Sequence, residues 1–329
     1  MRKLLLSLTL MLLIVVGGIS YQQLLTPLTP SEAVTYRLKP GTSLSRVAED
    51  LQTAGVVRSA NALKFFARWH DQGGEIQSGT YRFVTAATPE QILERLVAGD
   101  VEKVSLTIPE GFTQQQIFAR IADKGYGDQK RLQQLATDPA FIKSLQLKAT
   151  SLEGYLFPET YLFAPGIDEA ELLRMMVNQF HKELDPVLLA KAKQHNLTLH
   201  QLVTLASIIE KETGKVDEMP LISSVFHNRL RRGIPLQTDP TVIYGIQNFD
   251  GNLTRKQLKS PTPYNTYTIH GLPPGPIASP GLAALRAAAE PAATDYLYFV
   301  ARGDGSHQFS TTLKEHNRAV RRYQLEHRR

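Results

Sequence analysis

The sequence predicts an α+β protein with an N-terminal single transmembrane helix, a small module of strands and helices, and a larger mixed domain rich in helices. Three observations carry this. Arg2 and Lys3 precede an apolar run from Leu4 to Ile19. From Val34 onward, short alternating strands are followed by turns and amphipathic helices. Beyond about residue 151 the 3.6-residue period of amphipathic helices dominates.

Taken in order, residues 1–25 read as a cytoplasmic tip and membrane anchor. The run is slightly shorter than the ~20 residues a spanning helix needs, but Leu24 and Leu25 can extend it and Tyr21 suits the interface. Basic residues before it predict an N-terminus inside and the rest outside. Gly18-Ile19-Ser20 is a poor signal-peptidase site, which favours an uncleaved anchor. Residues 26–33 (TPLTPSEA) form a Pro-containing polar linker.

Residues 34–100 form the small module. Val34–Leu38 alternates as a strand, and the turn Lys39-Pro40-Gly41 leads into a helix. A second helix spans about Ala60 to Trp69, Ser78–Phe83 is a strand, and Thr88-Pro89 opens a third helix. Residues 101–150 repeat the theme as a connecting segment: a strand up to about Ile108, the turn Pro109-Glu110-Gly111, and a helix from Thr113. Tyr126–Ser144 reads as a further polar helix. Residues 151–329 make the larger domain. Ser151–Phe163 combines Glu153 and Glu159 with Tyr155, Phe157, Tyr161 and Phe163, a candidate cleft wall, since aromatic faces with interleaved polar groups suit sugar rings. Amphipathic helices at about 170–184 and 186–195 read as scaffold. Ser279-Pro280 is expected to cap the helix LAALRAAAE. Gly303-Asp304-Gly305 turns a hairpin, and Thr312 with Glu315 opens the last helix as a capping box.

The chain is organised around Leu197–Gly245. Thr198 and Gln201 form a T-x-x-Q capping box, an apolar stripe follows, and Gly214 is the expected stop. Glu210, Lys211 and Glu212 fall in the last turn. Burial beside apolar groups favours a protonated carboxyl, the state a general acid needs. At 100° per residue the two glutamates lie on opposite edges of the stripe, so geometry leaves both open. A second helix, about Glu218–Arg232, is expected to return antiparallel. Asp239-Pro240 then reads as an N-cap with Pro at N1. Gln237, Thr238 and Tyr244 have no comparable local role. Farther on, Pro263–Thr268 and Gly271–Pro276 make a Pro/Gly-rich loop that can hold Asn265 and Tyr267 toward a cleft.

Composition bounds the chemistry. With no cysteine among 329 residues, disulfides, thiolate metal sites and cysteine nucleophiles are excluded. The net charge of +6 suits anionic partners. No nucleic-acid motif accompanies it. There is no H-E-x-x-H, G-x-S-x-G, P-loop or G-x-G-x-x-G, so neither metal nor cofactor is expected.

The blocks ASIIEKET, SVFHNRL, LQTDPTVIYG and PYNTYTIHGLPPGPIASPG resemble, in order, the endolytic peptidoglycan (murein) transglycosylase family, also called YceG-like or MltG. The resemblance extends more weakly back to about Val34, and in topology the small module resembles a LysM cell-wall module or a reduced, non-binding version of one. It implies a membrane-anchored lyase that cleaves the MurNAc–GlcNAc bond of nascent glycan strands to give 1,6-anhydro ends and terminates elongation. It further implies an inner-membrane location, with the catalytic domain on the periplasmic side, and partnership with peptidoglycan synthases. It assigns the acid to Glu210, with Glu212 its neighbour; beside it, the residues themselves offer Glu153 and Glu212 as possible second or supporting carboxylates and Gln237, Thr238, Asp239, Tyr244, Asn265 and Tyr267 as substrate-binding candidates. The rival reading is a non-catalytic wall-binding scaffold.

Overall fold

The structure, a computed structural model, describes Gly17, Gly18, Gln22, residues 25–247 and residues 249–325. The expected anchor therefore lies almost wholly outside the described residues. Among those residues no helix is long and apolar enough to cross a membrane. The architecture is α+β: many helices and small two-stranded sheets. Two compact units are present. One comprises residues up to Ser105 with Leu162–Gly166, and the other Leu106–Tyr161 with Ile167–Arg329.

In the first unit, β1 (Val34–Leu38) pairs antiparallel with β2 (Gly79–Phe83), Val34 opposite Phe83 and Leu38 opposite Gly79. Helices α1 (Leu44–Thr53) and α2 (Ala60–Trp69) lie between them in sequence, and α3 (Pro89–Ala98) follows. Each helix starts where a hydroxyl can satisfy an otherwise unpaired N–H: Ser43, Ser59 and the Thr88–Gln91 capping box. Leu38, Leu51, Leu63, Phe83, Leu93 and Leu96 meet in one core. Tyr81 is buried with them, its hydroxyl donating to the Gln77 carbonyl at 2.6 Å. The 26–33 segment is not a free tether. Leu28 and Ala87 exchange backbone hydrogen bonds of 3.0 and 3.2 Å.

β3 (Val104–Thr107) and β4 (Thr160–Phe163) form a second two-stranded sheet. The second unit includes α4 (Gln114–Asp123), α5 (Gln129–Thr137) and α6 (Pro139–Ser144). The single helix expected over 126–144 is broken, because Asp138 accepts from the Ala140 N–H and Pro139 opens a new helix. α7 (Glu169–Glu183) and α8 (Pro186–Gln194) lead to α9 (Leu199–Glu212) and α10 (Met219–Arg231). The chain ends with α11 (Asp239–Tyr244), α12 (Arg255–Lys259), α13 (Leu282–Ala289), the hairpin β5 (Tyr298–Ala301)–β6 (His307–Ser310), and α14 (Leu313–Val320).

The expected capping box opens α9: Thr198 N–H donates to Gln201 Oε1 at 2.9 Å, and Gln201 N–H to Thr198 Oγ1 at 3.3 Å. The helix is more than a stripe. Every residue from Leu202 to Ile209 is buried, because α8, α10, α11 and α13 surround it. The alanines of α13 allow close approach of the two helices. The polar members of the buried run are satisfied locally, Thr204 on the His200 carbonyl and Ser207 on that of Thr204, both at 2.7 Å. Two end signals differ from expectation. α9 stops at an extended Thr213 rather than a left-handed Gly214, and α13 is capped by Gly281 with no side-chain bond from Ser279. The aromatic stretch also differs: Tyr155, Phe157, Tyr161 and Phe163 are all buried core, not a cleft wall. Each ring gains about 1.5–3 kcal/mol from leaving water, which decides where it goes.

Gly154 marks how tightly this region closes. Its φ is +83°, and a Cβ there would lie 2.4 Å from Pro276 Cβ and 3.0 Å from Val203 Cγ1. Gly154→Ala should cost more than about 2 kcal/mol, whereas Gly125→Ala, also at positive φ but with nothing within 4 Å, should cost about 1 kcal/mol. Thermal melts of the two proteins compare them directly; equal losses would show that the contact with Pro276 is not tight.

Candidate active site

The segment Pro273–Gly281 runs along one face of α9 and is fastened to it by its backbone. Ile277 N–H donates to Ser207 Oγ at 3.0 Å, and Gly281 N–H donates to Glu210 Oε2 at 3.0 Å. Residues 207 and 210 are neighbours on a helix face. On its other side the segment pairs with the turn after β3: Gly111 N–H donates to the Ser279 carbonyl (2.9 Å), and Ser279 N–H to that of Phe112 (2.8 Å). Lys211 Nζ reaches the Gly111 carbonyl at 3.2 Å. Glu210 is thus held half-buried between the start of α13 and the 110–112 turn. Burial raises its pKa and the nearby charge of Glu110 adds to the rise, while the Gly281 N–H and Lys211 oppose it. Burial is the largest of these influences, so the helix N-terminus does not restore an ordinary acid.

Glu110 was read from the sequence only as part of a turn. A Cβ at residue 281 would lie 1.7 Å from Glu110 Oε1, so this carboxylate occupies the space a side chain at Gly281 would need. The signal available was the contrast between Lys39-Pro40-Gly41 and Pro109-Glu110-Gly111, similar turns of which only the second carries an acid.

Glu212 points to the opposite edge of α9, into a cleft of about 550 Å³ that it lines with Arg229, Gln237, Thr238, Asp239 and Tyr267. Thr238 Oγ1 donates to Glu212 Oε1. Burial pushes the Glu212 pKa up to about 7, against the Thr238 bond and with help from the Asp239 charge. Asp239 does not serve as the N-cap expected of it. Thr238 occupies that position without a side-chain bond, and Asp239 Oδ1 instead accepts from the Tyr267 hydroxyl at 2.6 Å. The 235–238 segment is fixed from beneath by Arg229. Its Nη1 donates to the Pro235 and Leu236 carbonyls and to Gln237 Oε1 (3.0, 2.9 and 3.1 Å), and its Nε to the Leu297 carbonyl at 2.7 Å.

Glu153 and Tyr244 meet elsewhere, on a cleft of about 660 Å³ that is also lined by Gln114, Gln115, Ser151 and Gln247. Glu153 is only 6% exposed. It accepts from the Gln114 N–H at the start of α4 (3.0 and 3.2 Å) and from the Tyr244 hydroxyl (3.1 Å). Burial outweighs these bonds and lifts its pKa to about 7.

Asn265 is fully buried and faces neither cleft. Its Nδ2 donates to the carbonyls of Gln257, Leu258 and Ser260 (3.2, 3.1 and 2.7 Å), satisfying the end of α12, while its Oδ1 accepts from Tyr267 N–H at 2.9 Å. It places Tyr267. The sequence-derived residues therefore fall into three groups: Glu210; Glu212 with Gln237, Thr238, Asp239 and Tyr267; and Glu153 with Tyr244. The 110–114 turn touches the first through Gly111 and the third through Gln114. Among the described residues no group of three His, Cys, Asp or Glu side chains could hold a metal ion.

Comparison with known proteins identifies the family. Residues 36–322 match the YceG-like family, and the chain belongs to it. It is 33% identical over 330 residues to an endolytic murein transglycosylase of Bacillus subtilis strain 168, covering 94% of this chain and 91% of that one. It is 30% identical over 342 residues to a protein of the same name from Streptococcus pneumoniae serotype 2 strain D39, covering 92% of this chain but only 62% of that longer relative. The crystal structure of a YceG-like protein from Listeria monocytogenes superposes with a TM-score of 0.60 at 32% identity, over 87% of this chain and 98% of that one.

The raised pKa of Glu153 has a consequence for stability. A carboxyl whose folded pKa lies above its unfolded value stabilises the fold fully below the unfolded pKa, and that contribution is lost as pH rises through about 7. A shift from 4.5 to about 7 corresponds to up to about 3 kcal/mol. The melting temperature should therefore fall between pH 5 and pH 8, and Glu153→Gln should melt several degrees higher than the parent at pH 8 but not at pH 4.5. Melts across this range with identical slopes for both proteins would show that Glu153 ionises normally.

Proposed function

We propose that this chain is a membrane-anchored endolytic lytic transglycosylase that cuts the MurNAc–GlcNAc β-1,4 bond of nascent peptidoglycan and leaves 1,6-anhydro-MurNAc ends, terminating strand growth. The name borne by its relatives supports peptidoglycan as substrate and transglycosylation as reaction class. The observation that carries the mechanism is Glu210, a single half-buried carboxyl with a raised pKa, held by one backbone N–H at the end of a buried helix. In its protonated form, which burial favours, it gives its proton to the glycosidic oxygen as the C1–O bond breaks. The resulting carboxylate then takes the proton of the C6 hydroxyl, whose oxygen closes on C1. One bond breaks, one forms, the proton returns to Glu210 after both steps, and no water is consumed. Gly281 N–H stabilises the carboxylate between the two steps.

In this reading the Glu212–Thr238–Asp239–Tyr267 cleft, on the opposite edge of α9 from Glu210, holds a stretch of the glycan away from the bond that is cut. Tyr267, Gln237 and Asp239 offer the mixed aromatic and polar contacts that sugars need, and Glu153 with Tyr244 forms a second polar cleft for the strand. The N-terminal apolar run of the sequence supports an inner-membrane location with the catalytic unit on the periplasmic side. The first unit, with its strand–helix–helix–strand order, acts as a LysM-like module. Peptidoglycan synthases are the partners such a location implies.

Mass spectrometry of peptidoglycan digested by the protein tests this. Anhydro-ended products are expected, with Glu210→Gln reducing their formation by at least about 100-fold. Reducing ends would mean a hydrolase, with Glu153 or Glu159 as second carboxylate. Binding without cleavage would favour the scaffold. Glu110→Gln should move the alkaline limb of the pH–rate profile to lower pH, because removing a like charge lowers the Glu210 pKa and a general acid acts only while protonated. An unmoved limb would exclude Glu110 from setting it.

A further inference from the structure

α2 turns Ala60, Leu63 and Ala67 into the core of the first unit and presents a different face to solvent. On that face Phe65 is 46% exposed and Trp69, one turn later, is 74% exposed. Their rings stack with centroids 6.0 Å apart. Two large aromatics side by side in water mark a surface that something covers. The helix ANALKFFARW carries Lys64 and Arg68 and no acidic residue. Aromatic and basic side chains on one helix face suit the headgroup layer of a bilayer, where rings enter the apolar boundary and cations remain among phosphates.

The fold places this face near the chain's entry into the unit. His70, directly after Trp69, has its Nε2 2.8 Å from Glu90 Oε1 at the start of α3. Glu90 closely follows Ala87, the residue bridged to Leu28. The C-terminal end of α2 and the attachment point of the N-terminal segment therefore lie at the same end of the unit. From Ile19, the last residue of the apolar run, to Leu28 the chain spans at most about 30 Å fully extended. The hydrogen bond from Thr26 N–H to the Gln22 carbonyl (3.1 Å) shortens that span.

We propose that the Phe65–Trp69 face of α2 seats in the headgroup layer of the membrane that holds the N-terminal run, the partner being a lipid surface with anionic headgroups. The short, pinned connection keeps the unit on the bilayer, and the aromatic pair fixes which side faces down. The proposal rests on the membrane-anchor reading above.

Trp69 is the only tryptophan of the chain, so its emission reports this face alone. The full chain would be reconstituted in phosphatidylcholine/phosphatidylglycerol nanodiscs, with and without bromine on the upper acyl chains. The expected result is co-elution with the discs, at least about twofold quenching of Trp69 by brominated lipid, and weaker quenching for the Lys64→Glu/Arg68→Glu protein, whose aromatics are intact. Failure to co-elute with discs would overturn the anchor reading and the proposal together. Co-elution with Trp69 unquenched by bromine and open to aqueous iodide would overturn the proposal alone. A Trp69 spectral shift that needs added glycan fragments, or that grows with the number of chains per disc, would assign the face to glycan or to a second copy and overturn it as well.

Discussion

The rest of the larger unit depends on the fastening of a Pro/Gly-rich segment along a fully buried helix. α9 has no solvent-facing side over eight residues, so the functional groups near its end can be reached only where the surrounding elements leave space. Ser207 and Glu210 each receive one backbone N–H from the 277–281 segment, which the 111–112 turn holds from behind. The prolines limit the conformations of the segment before it docks, so less entropy is lost in ordering it. A catalytic carboxyl positioned by packed backbone is better fixed than one positioned by another mobile side chain.

Burial pushes the three carboxyls in the same direction, and each is partly compensated in its own way. Glu153 has two hydrogen-bonded contacts with the Gln114 N–H and one with a phenol, Glu212 has a threonine hydroxyl, and Glu210 has one N–H and a nearby lysine. None of these partners is a directly bonded cation, so compensation is incomplete throughout. The unit thereby holds three acids with raised pKa values, those of Glu153 and Glu212 at about 7.

Much of this was legible in the sequence, and the reason is range. The start of α9 with its capping box and the β5–β6 hairpin follow from residues within a few positions of each other, and they were read from those residues. Asp239-Pro240 also matched a local pattern, but a phenol from the distant 263–268 loop took the carboxylate. Asn265 looked like a ligand for substrate because its partners, three carbonyls at the end of α12, are backbone groups that leave no mark in composition. The aromatics of 155–163 fit both a sugar-facing wall and a core, and only the number of neighbours available for burial decides between these. Glu110 lies far from Gly281 in sequence, and a contact that depends on an absent side chain has no local motif.

The hydrogen bond from Gly281 to Glu210 gives the site a built-in spectroscopic sensor. The proton on that amide nitrogen lies on the carboxyl whose charge changes during the proposed cycle, so its chemical shift moves when Glu210 gains or loses a proton. Gly281 has no side chain of its own to perturb the resonance and sits at the first turn of an otherwise ordinary alanine-rich helix. A single backbone amide can thus follow the protonation of Glu210 without any label on the carboxyl itself.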